Sequence, residues 1–334
     1  MTAPRVSVLL PVRNEERFLP TALASLFRQS LTDWELVAVD DGSTDSTPAI
    51  LAAAAVDRRV RVLPSPGRGI VAALNAGLGV CRAPLVARMD GDDICHPRRL
   101  EAQLAHLKMD DQCGLVACAT RHFPRHHLGR GMLAYEAWQN ALTEHEEIMR
   151  DLFVESPFAH PSVVFRKEAV AAVGGYREMG WAEDYDLWLR LAAAGTRFAR
   201  LPDVLFFWRD HPLRATRTTA HCAARAFRAC KVHHLQQGFL KGVHEVTLAG
   251  AGIEGRAWRQ ALLAAGIGVS LWIDIDPRKV GRTLHGAPVV HRDPFPRVRG
   301  KLLLTVGVGS ARAELREWAK RGGLAEGTDF LCVT

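Results

Sequence analysis

Short apolar runs alternate with helical periodicities over the first 80 residues. Residues 6–10 form a short, mostly apolar run ended by Pro11, as expected of a strand buried on both faces. Phe18, Leu19, Ala22, Leu23, Leu26 and Phe27 recur at helical spacing, with Pro20 early enough to sit in the first turn. Residues 36–39 predict a second buried strand that stops at Asp40-Asp41-Gly42, after which Asp45 or Ser46 caps a helix with Pro48 near its start. Residues 60–63 read as a third strand, 69–80 as a small helix, and 85–87 as a fourth strand running into Arg88-Met89-Asp90-Gly91-Asp92-Asp93. Such alternation predicts a mostly parallel, doubly wound sheet, whose ligands bind at the carboxyl ends of the strands. The acids at 40–41 and 90–93 both lie at such ends and are expected to converge.

The pattern from 100 to 215 is less regular. It predicts helices over 97–109, 132–152 and 183–194, and short strands near 114–119, 161–165 and 197–207. Residues 216–241 read as one polar-basic helix, a connector. From Val246 a second alternating pattern begins: strand, glycine turn and helix, then a strand ending in acids, another strand, a helix and a last strand. This is a compact βαβ module of roughly 90 residues, and no fixed-period repeat appears.

The chain has 334 residues, 48% hydrophobic and 24% charged, the balance of an ordinary globular protein and enough for about two domains. Lys and Arg total 43 against 36 Asp and Glu, a net charge of +7. This mild excess suits anionic partners such as nucleotides or an acidic membrane surface, and is too dispersed to argue for nucleic acid. No apolar run approaches the ~18 residues of a membrane-spanning helix, and the first residues lack a signal-peptide layout. The seven cysteines form no C-x-x-C pair, which favours reduced thiols in a cytoplasmic protein.

Three segments carry candidate chemistry. In VAVDDGSTDST (37–47), a carboxylate at a strand end beside a glycine turn can accept from a base N–H or ribose hydroxyls, although Asp, Gly, Ser and Thr also favour plain turns and caps. In RMDGDDICHP (88–97), Asp90, Asp92 and Asp93 crowd three negative charges into four residues. Unless solvated on a surface loop, such a cluster suits Mg²⁺ or Mn²⁺ shared with a diphosphate, whose charge the ion neutralises as it departs. In WAEDYDLWLRLAAAG (181–195), Glu183, Asp184 and Asp186 occupy the first turn of a largely buried helix. They either complement the helix dipole or hold a general base at the site.

Taken in order, VSVLLPVRNEERFLPTALASLFRQSLTDWELVAVDDGSTDST, RMDGDDICHPRRL and GGYREMGWAEDYDLWLRL resemble the family 2 glycosyltransferases over roughly residues 5–215. The resemblance implies the GT-A fold and an inverting transfer from a nucleotide-activated sugar with a divalent metal. By position, Pro11 and Val12 would edge the nucleotide pocket, Asp41 would meet the base with Asp40 beside it, and Glu15, Arg68 and Asn75 would lie around the nucleotide and diphosphate. Asp90 and Asp92, spaced by Gly91, would be the Asp-x-Asp pair, with Asp92 the direct metal ligand. Asp184 would deprotonate the acceptor, and His211 lies where many relatives have a histidine near the diphosphate or metal. Processive synthases of this family carry a Q-x-x-R-W motif and membrane helices. Neither is visible, so transfer of a single sugar to a glycan or lipid-linked acceptor in surface polysaccharide or glycoconjugate biosynthesis is expected.

The expected class is therefore α/β: a GT-A type doubly wound mixed sheet over 1–215, a connector helix over 216–244, and a small Rossmann-like domain over 245–334. That last module matches G-x-G-x-x-G at Gly250, Gly252 and Gly255, between strand and helix, with Asp274 and Asp276 after the next strand. It is a second candidate nucleotide site, or a glycine turn serving packing alone. Arg225, Arg228, Lys231, His233 and His234 on the connector form either a solvated face or a peripheral contact at the inner face of the membrane. Two other functions share these features. A nucleotidyltransferase would want a Gly- and Lys-rich loop near the amino terminus, where only Arg13 and Arg17 stand, and retention of Asp90, Asp92 and Asp184 argues against a silent sugar-nucleotide sensor.

Overall fold

The computed structural model describes residues 3–212, 214, 219–307 and 309–334. The chain divides into two compact units, one of Met1–Ile148, Pro157–Met179 and Glu183–Thr218, the other of Met149–Ser156, Gly180–Ala182 and Thr219–Thr334.

The first unit is built on an eight-stranded sheet of order β3-β2-β1-β4-β7-β6-β8-β5. Its strands are β1 (Val6–Val12), β2 (Trp34–Asp40), β3 (Val60–Pro64), β4 (Leu85–Arg88), β5 (Ile94–Cys95), β6 (Cys113–Phe123), β7 (Val164–Arg166) and β8 (Arg197–Arg209). β1 runs parallel to β2 and β4, and β2 to β3. β7 is antiparallel to both β4 and β6, and β5 to β8, so the sheet is mixed. Helices α1 (Leu19–Phe27), α2 (Thr47–Ala54), α3 (Ile70–Val80) and α4 (Arg99–Met109) complete the alternating half. Val8, Leu10, Leu36 and Ala38 are fully buried against Leu23, Leu26 and Leu51, so the apolar runs are central strands covered by helices. That order brings the carboxyl ends of β1, β2 and β4 side by side.

The helix expected over 132–152 is two helices, α5 (Arg130–Ala141) and α6 (His145–Asp151). Glu147 accepts from the backbone N–H groups of Thr143 and Glu144 at 3.0 and 3.2 Å, which opens a new helix. The buried Arg200 guanidinium fills the break and donates to the carbonyls of Gln139, Leu142 and Pro157. The strand expected near 161–165 is shorter, because His160–Ser162 is a 3₁₀ turn. After α7 (Lys167–Ala172), α8 spans Glu183–Ala193.

The second unit carries a six-stranded sheet of order β11-β12-β10-β9-β13-β14. β9 (Glu245–Ala249), β10 (Gly268–Asp274), β12 (Ala287–His291), β13 (Lys301–Leu304) and β14 (Phe330–Cys332) are parallel, and β11 (Thr283–Leu284) pairs antiparallel with β12. The β11–β12 hairpin was not expected from the sequence, where it is short and interrupted by Gly286 and Pro288. The helix expected over 216–241 is α9 (Ala224–Gln237), after a 3₁₀ turn at Ala220–Cys222; residues 216–218 lie outside the described residues. α9 is not polar all round. Cys230, Lys231, Val232, His234 and Leu235 are buried, and the Lys231 ammonium donates to the carbonyls of Val154 and Val333 at 2.7 and 3.2 Å. Helices α10 (Ile253–Ala264) and α11 (Gly309–Arg321) complete the unit, whose core joins Trp258, Leu262, Trp272 and Leu303.

Gly255 belongs to that packing. A Cβ there would stand 1.8 Å from the Gly250 carbonyl oxygen, whereas one at Gly252 would meet nothing within 4 Å. Gly255→Ala is expected to lower the urea midpoint of the second unit: overpacking of about 1–3 kcal/mol outweighs a helix-propensity gain of about 1 kcal/mol. Gly252→Ala should leave the midpoint nearly unchanged. Equal midpoints for the two variants would remove the packing role of Gly255.

Candidate active site

The loops after β1 and β2 brace each other. Asn14, at a left-handed φ of 55°, accepts from the Thr44 N–H at 2.8 Å. The Glu15 N–H donates to Thr47 Oγ1 at 2.8 Å, and Glu16 exchanges bonds with Asp45 and Ser46 at 3.0 Å each. Asp40 is used inside its own turn, its Oδ1 accepting from the Ser43 N–H and hydroxyl at 3.0 and 2.6 Å. Asp41 instead turns to the loop before α3, and both its oxygens lie within 3.0 Å of the Gly69 N–H. Asp41, Arg13, Thr44, Ser65 and Arg68 line a cavity of about 370 Å³. Asp41 and Arg68 thus share one cavity, and Pro11 and Val12 lie buried on β1, the strand that leads to it. Asn75 is engaged elsewhere: it bonds both the N–H and the carbonyl of Tyr176 at 3.0 and 2.9 Å.

The acids after β4 form the second part. Asp90, Asp92 and Asp93 each offer an oxygen within 4.8 Å of the others. Burial and the charges of Asp92 and Asp90 push Glu15 up to about 8. Burial, then the charge of Asp90, raises Asp92, and Asp93 is raised well above the usual range by burial and both neighbours. Asp93 Oδ2 is buried with no hydrogen-bond partner among the described residues. Gly91 closes the turn where a Cβ would lie 3.0 Å from Val12 and 3.1 Å from the Glu15 side chain. Cations reach the cluster from elsewhere. Buried Arg88 pairs with Asp90 at 2.6 Å. The Arg209 backbone and Nε donate to Asp93 Oδ1 at 2.7 Å and to the Asp92 carbonyl at 2.6 Å. His211 Nε2 lies 2.9 Å from Asp92 Oδ2, with its ring centroid 5.1 Å from that of Phe18. Hard oxygen donors, an orphaned buried carboxylate oxygen and carboxyls driven to hold protons together fit a divalent cation.

The three acids opening α8 separate by environment. Asp186 is paired with Arg190 at 2.7 Å and buried, a structural ion pair. Among the described residues no guanidinium pairs with Glu183 or Asp184 in this way: burial raises both above the ordinary carboxylate range, and the charge of Glu183 adds to the rise of Asp184. Asp184 Oδ1 accepts from the Tyr185 N–H at 2.7 Å. Glu183 lies 3.6 Å from His160 Nδ1. Burial holds His160 well below its ordinary range, so the imidazole brings no positive charge to this contact. His160 Nε2 in turn meets the Tyr176 hydroxyl at 2.9 Å. Arg88 acts electrostatically on Glu183 and Asp184 as well as on Asp90, so the acid triplet and the helix acids share one buried cation.

In the second unit, Gly250, Gly252, Gly255 and Asp274 gather at the carboxyl ends of β9 and β10. Gly250 has a φ of +107°. Asp274 is spent within the turn: Oδ2 accepts from the Ala251 N–H at 2.7 Å and from Lys279 Nζ at 3.1 Å, and Oδ1 from the N–H groups of Ile275 and Asp276 at 2.8 Å each.

Sequence reasoning did not single out Arg88, Arg209, His160 or Tyr176. An arginine inside a buried run that ends in acids is one signal for Arg88, since a guanidinium is almost never buried unpaired. Arg209 has none, because its partners lie 116 and 117 residues away.

Comparison with known proteins bears on the family and the fold. The chain is 36% identical over 203 residues to the amylovoran biosynthesis glycosyltransferase AmsE of Erwinia amylovora, covering 60% of this chain and 74% of that one. It is 28% identical over 210 residues to an Escherichia coli UDP-Gal:alpha-D-GlcNAc-diphosphoundecaprenol beta-1,3-galactosyltransferase, covering 60% and 73%. In fold it is similar to S. aureus TarS 1-349 in complex with UDP-GlcNAc, at a TM-score of 0.55 and 16% identity over 77% of this chain and 70% of that one. It is also similar to the Pyrobaculum calidifontis mannosyltransferase PcManGT in complex with GDP-Man and Mn2+, at 0.50 and 22% over 80% and 70%. Residues 7–174 match the family Glycosyl transferase family 2, and with the acid triplet, the braced loops and the α8 acids on one GT-A type sheet, the chain belongs to the family 2 glycosyltransferases.

Proposed function

We propose that the protein is an inverting, metal-dependent transferase that moves one sugar from a nucleoside-diphosphate donor to a glycan or lipid-linked acceptor in surface polysaccharide or glycoconjugate biosynthesis. The observation that carries this reading is the shared field of two carboxylate groups. Asp90, Asp92 and Asp93 crowd at the end of β4, Glu183 and Asp184 are raised at the start of α8, and Arg88 acts on both sets. Relatives named for amylovoran and diphosphoundecaprenol-linked substrates support the product class.

In this mechanism Asp41, Arg13 and Arg68 hold the nucleoside in the 370 Å³ cavity. Asp92 and Asp90, with His211 at Asp92, are the residues that hold a divalent ion. Bound Mn²⁺ or Mg²⁺ offsets the negative charge of the departing diphosphate. Asp184 takes the proton of the acceptor hydroxyl as its oxygen bonds to the sugar C1 and the bond from C1 to the diphosphate oxygen breaks. A single displacement inverts the anomeric carbon. Burial suits Asp184 to this role, because a carboxylate lifted toward the working pH is a stronger base.

Three outcomes are expected. Calorimetry should show UDP binding tightly with Mn²⁺ and weakly in EDTA, and Asp92→Asn should remove the difference. Equal wild-type affinity in EDTA would overturn the metal role. Asp184→Asn should leave donor affinity nearly intact and lower turnover about 10²–10⁴-fold. A variant that mainly loses donor affinity would make Asp184 a binding residue. Because Asp184 is raised and acts deprotonated, kcat/KM should climb with pH along a limb at about pH 6 or above. A limb near pH 4, the range of an ordinary carboxylate, would exclude this base.

A further inference from the structure

The second unit contains a cavity of about 600 Å³ that the preceding mechanism does not use. Its walls are α9, α10 and Trp181, all within that unit. The volume is that of a small-molecule site, for which roughly 300–1,000 Å³ is usual. The space exists because α10 lines it mostly with methyl groups, from Ala257, Ala261 and Ala264, with Gln260 the one long side chain among them, opposite Arg225, Arg228, His233 and Gln236 of α9. Trp181 stands against His233, ring centroids 5.3 Å apart, and supplies an aromatic wall. Arg225 and Arg228 supply positive charge from one face of α9. Arg228 is partly offset by Glu254 at 3.1 Å, and Arg225 is exposed.

An aromatic face, small apolar walls and two guanidinium groups suit a particular ligand. The electron-rich ring face attracts the polarised C–H face of a sugar, and arginine forks bind phosphate. The donor's nucleoside already has its own cavity, at Asp41 in the first unit. Trp181 also precedes Asp184 by three residues. Three Cα–Cα steps of about 3.8 Å keep the two within about 11 Å, however the units sit. Chain connectivity thus ties this cavity to the residue that takes the acceptor proton.

We infer that the cavity of α9, α10 and Trp181 binds the acceptor, a sugar bearing a phosphate or diphosphate at its reducing end, with Trp181 against the ring and Arg225 and Arg228 at the phosphate. This rests on the glycosyl-transfer reading above and names the part of the substrate that reading leaves open.

The test uses the full chain with its nucleotide site saturated by UDP and Mn²⁺. The α-1-phosphates of glucose, galactose, mannose and N-acetylglucosamine are titrated as probes, with binding followed by ligand-observed NMR. At least one should bind the wild type. Arg225→Glu, an exposed change that leaves the fold alone, and Ala261→Trp, which fills the cavity, should each weaken it about tenfold or more. The urea midpoint of the second unit, followed by the fluorescence of its buried Trp258 and Trp272, serves in both variants as the check on folding, and UDP affinity as the check on the first unit. Equal probe binding to wild type and both variants, no binding by any probe, or displacement of the probe by added UDP would overturn the assignment. Donor turnover by the wild type is assayed separately, with UDP- and GDP-sugars and Mn²⁺. Its absence would overturn the glycosyl-transfer reading, while the titration would still report on the cavity.

Discussion

Crowded negative charge at the end of a buried strand is the condition around which the first unit is arranged. Two like charges a few ångströms apart in a partly buried setting repel by several kcal/mol, and here three aspartates lie within four residues beside Glu15. The chain meets that cost in three ways. It buries Arg88 against Asp90, folds the end of β8 back so that Arg209 donates to Asp93 and to the Asp92 carbonyl, and sets His211 at Asp92. What these groups leave unbalanced shows in the upward shifts of Glu15 and Asp93, driven first by burial and then by the neighbouring carboxylates. None of this helps folding. In the proposed mechanism this cluster is what holds the divalent ion.

That condition explains why the sheet is mixed. A purely parallel doubly wound sheet would leave the end of β4 served only by its own loops. The antiparallel insertion of β7, and the pairing of β8 with β5 and β6, return the chain to the acid end from the other side. Arg209 and His211 arrive by that route, more than 110 residues after the acids they meet.

What the sequence made legible follows the same division. The strands Val6–Val12 and Trp34–Asp40 were visible through their apolar stretches at 6–10 and 36–39, because a strand buried on both faces is largely apolar, and Asp40 and Asp41 stand out at the end of the second. The acids of α8 were visible as a group, but which of them is structural is a tertiary matter: Asp186 finds Arg190 one turn on, while for Asp184 burial and the charge of Glu183 outweigh the Tyr185 N–H and the field of Arg88. The break between α5 and α6 was hidden because Arg200, which gathers the freed carbonyls, lies some 60 residues away. α9 was misleading for the opposite reason. Lys231 reads as a solvated charge, yet it is buried and bonded to two carbonyls, a use of lysine that no local pattern announces.

The mutual bracing of the β1 and β2 loops has a thermodynamic corollary. Asn14, Glu15 and Glu16 are bonded to Thr44, Ser46 and Thr47, and Asp41 holds the amide of Gly69, so three loops around the cavity proposed for the nucleoside are tied before any ligand arrives. Ordering a loop on binding consumes interaction energy that then never appears as affinity. Here that ordering is completed when the chain folds. The entropy of nucleotide association in this cavity should therefore reflect the ligand's own immobilisation and released water, with little contribution from the polypeptide.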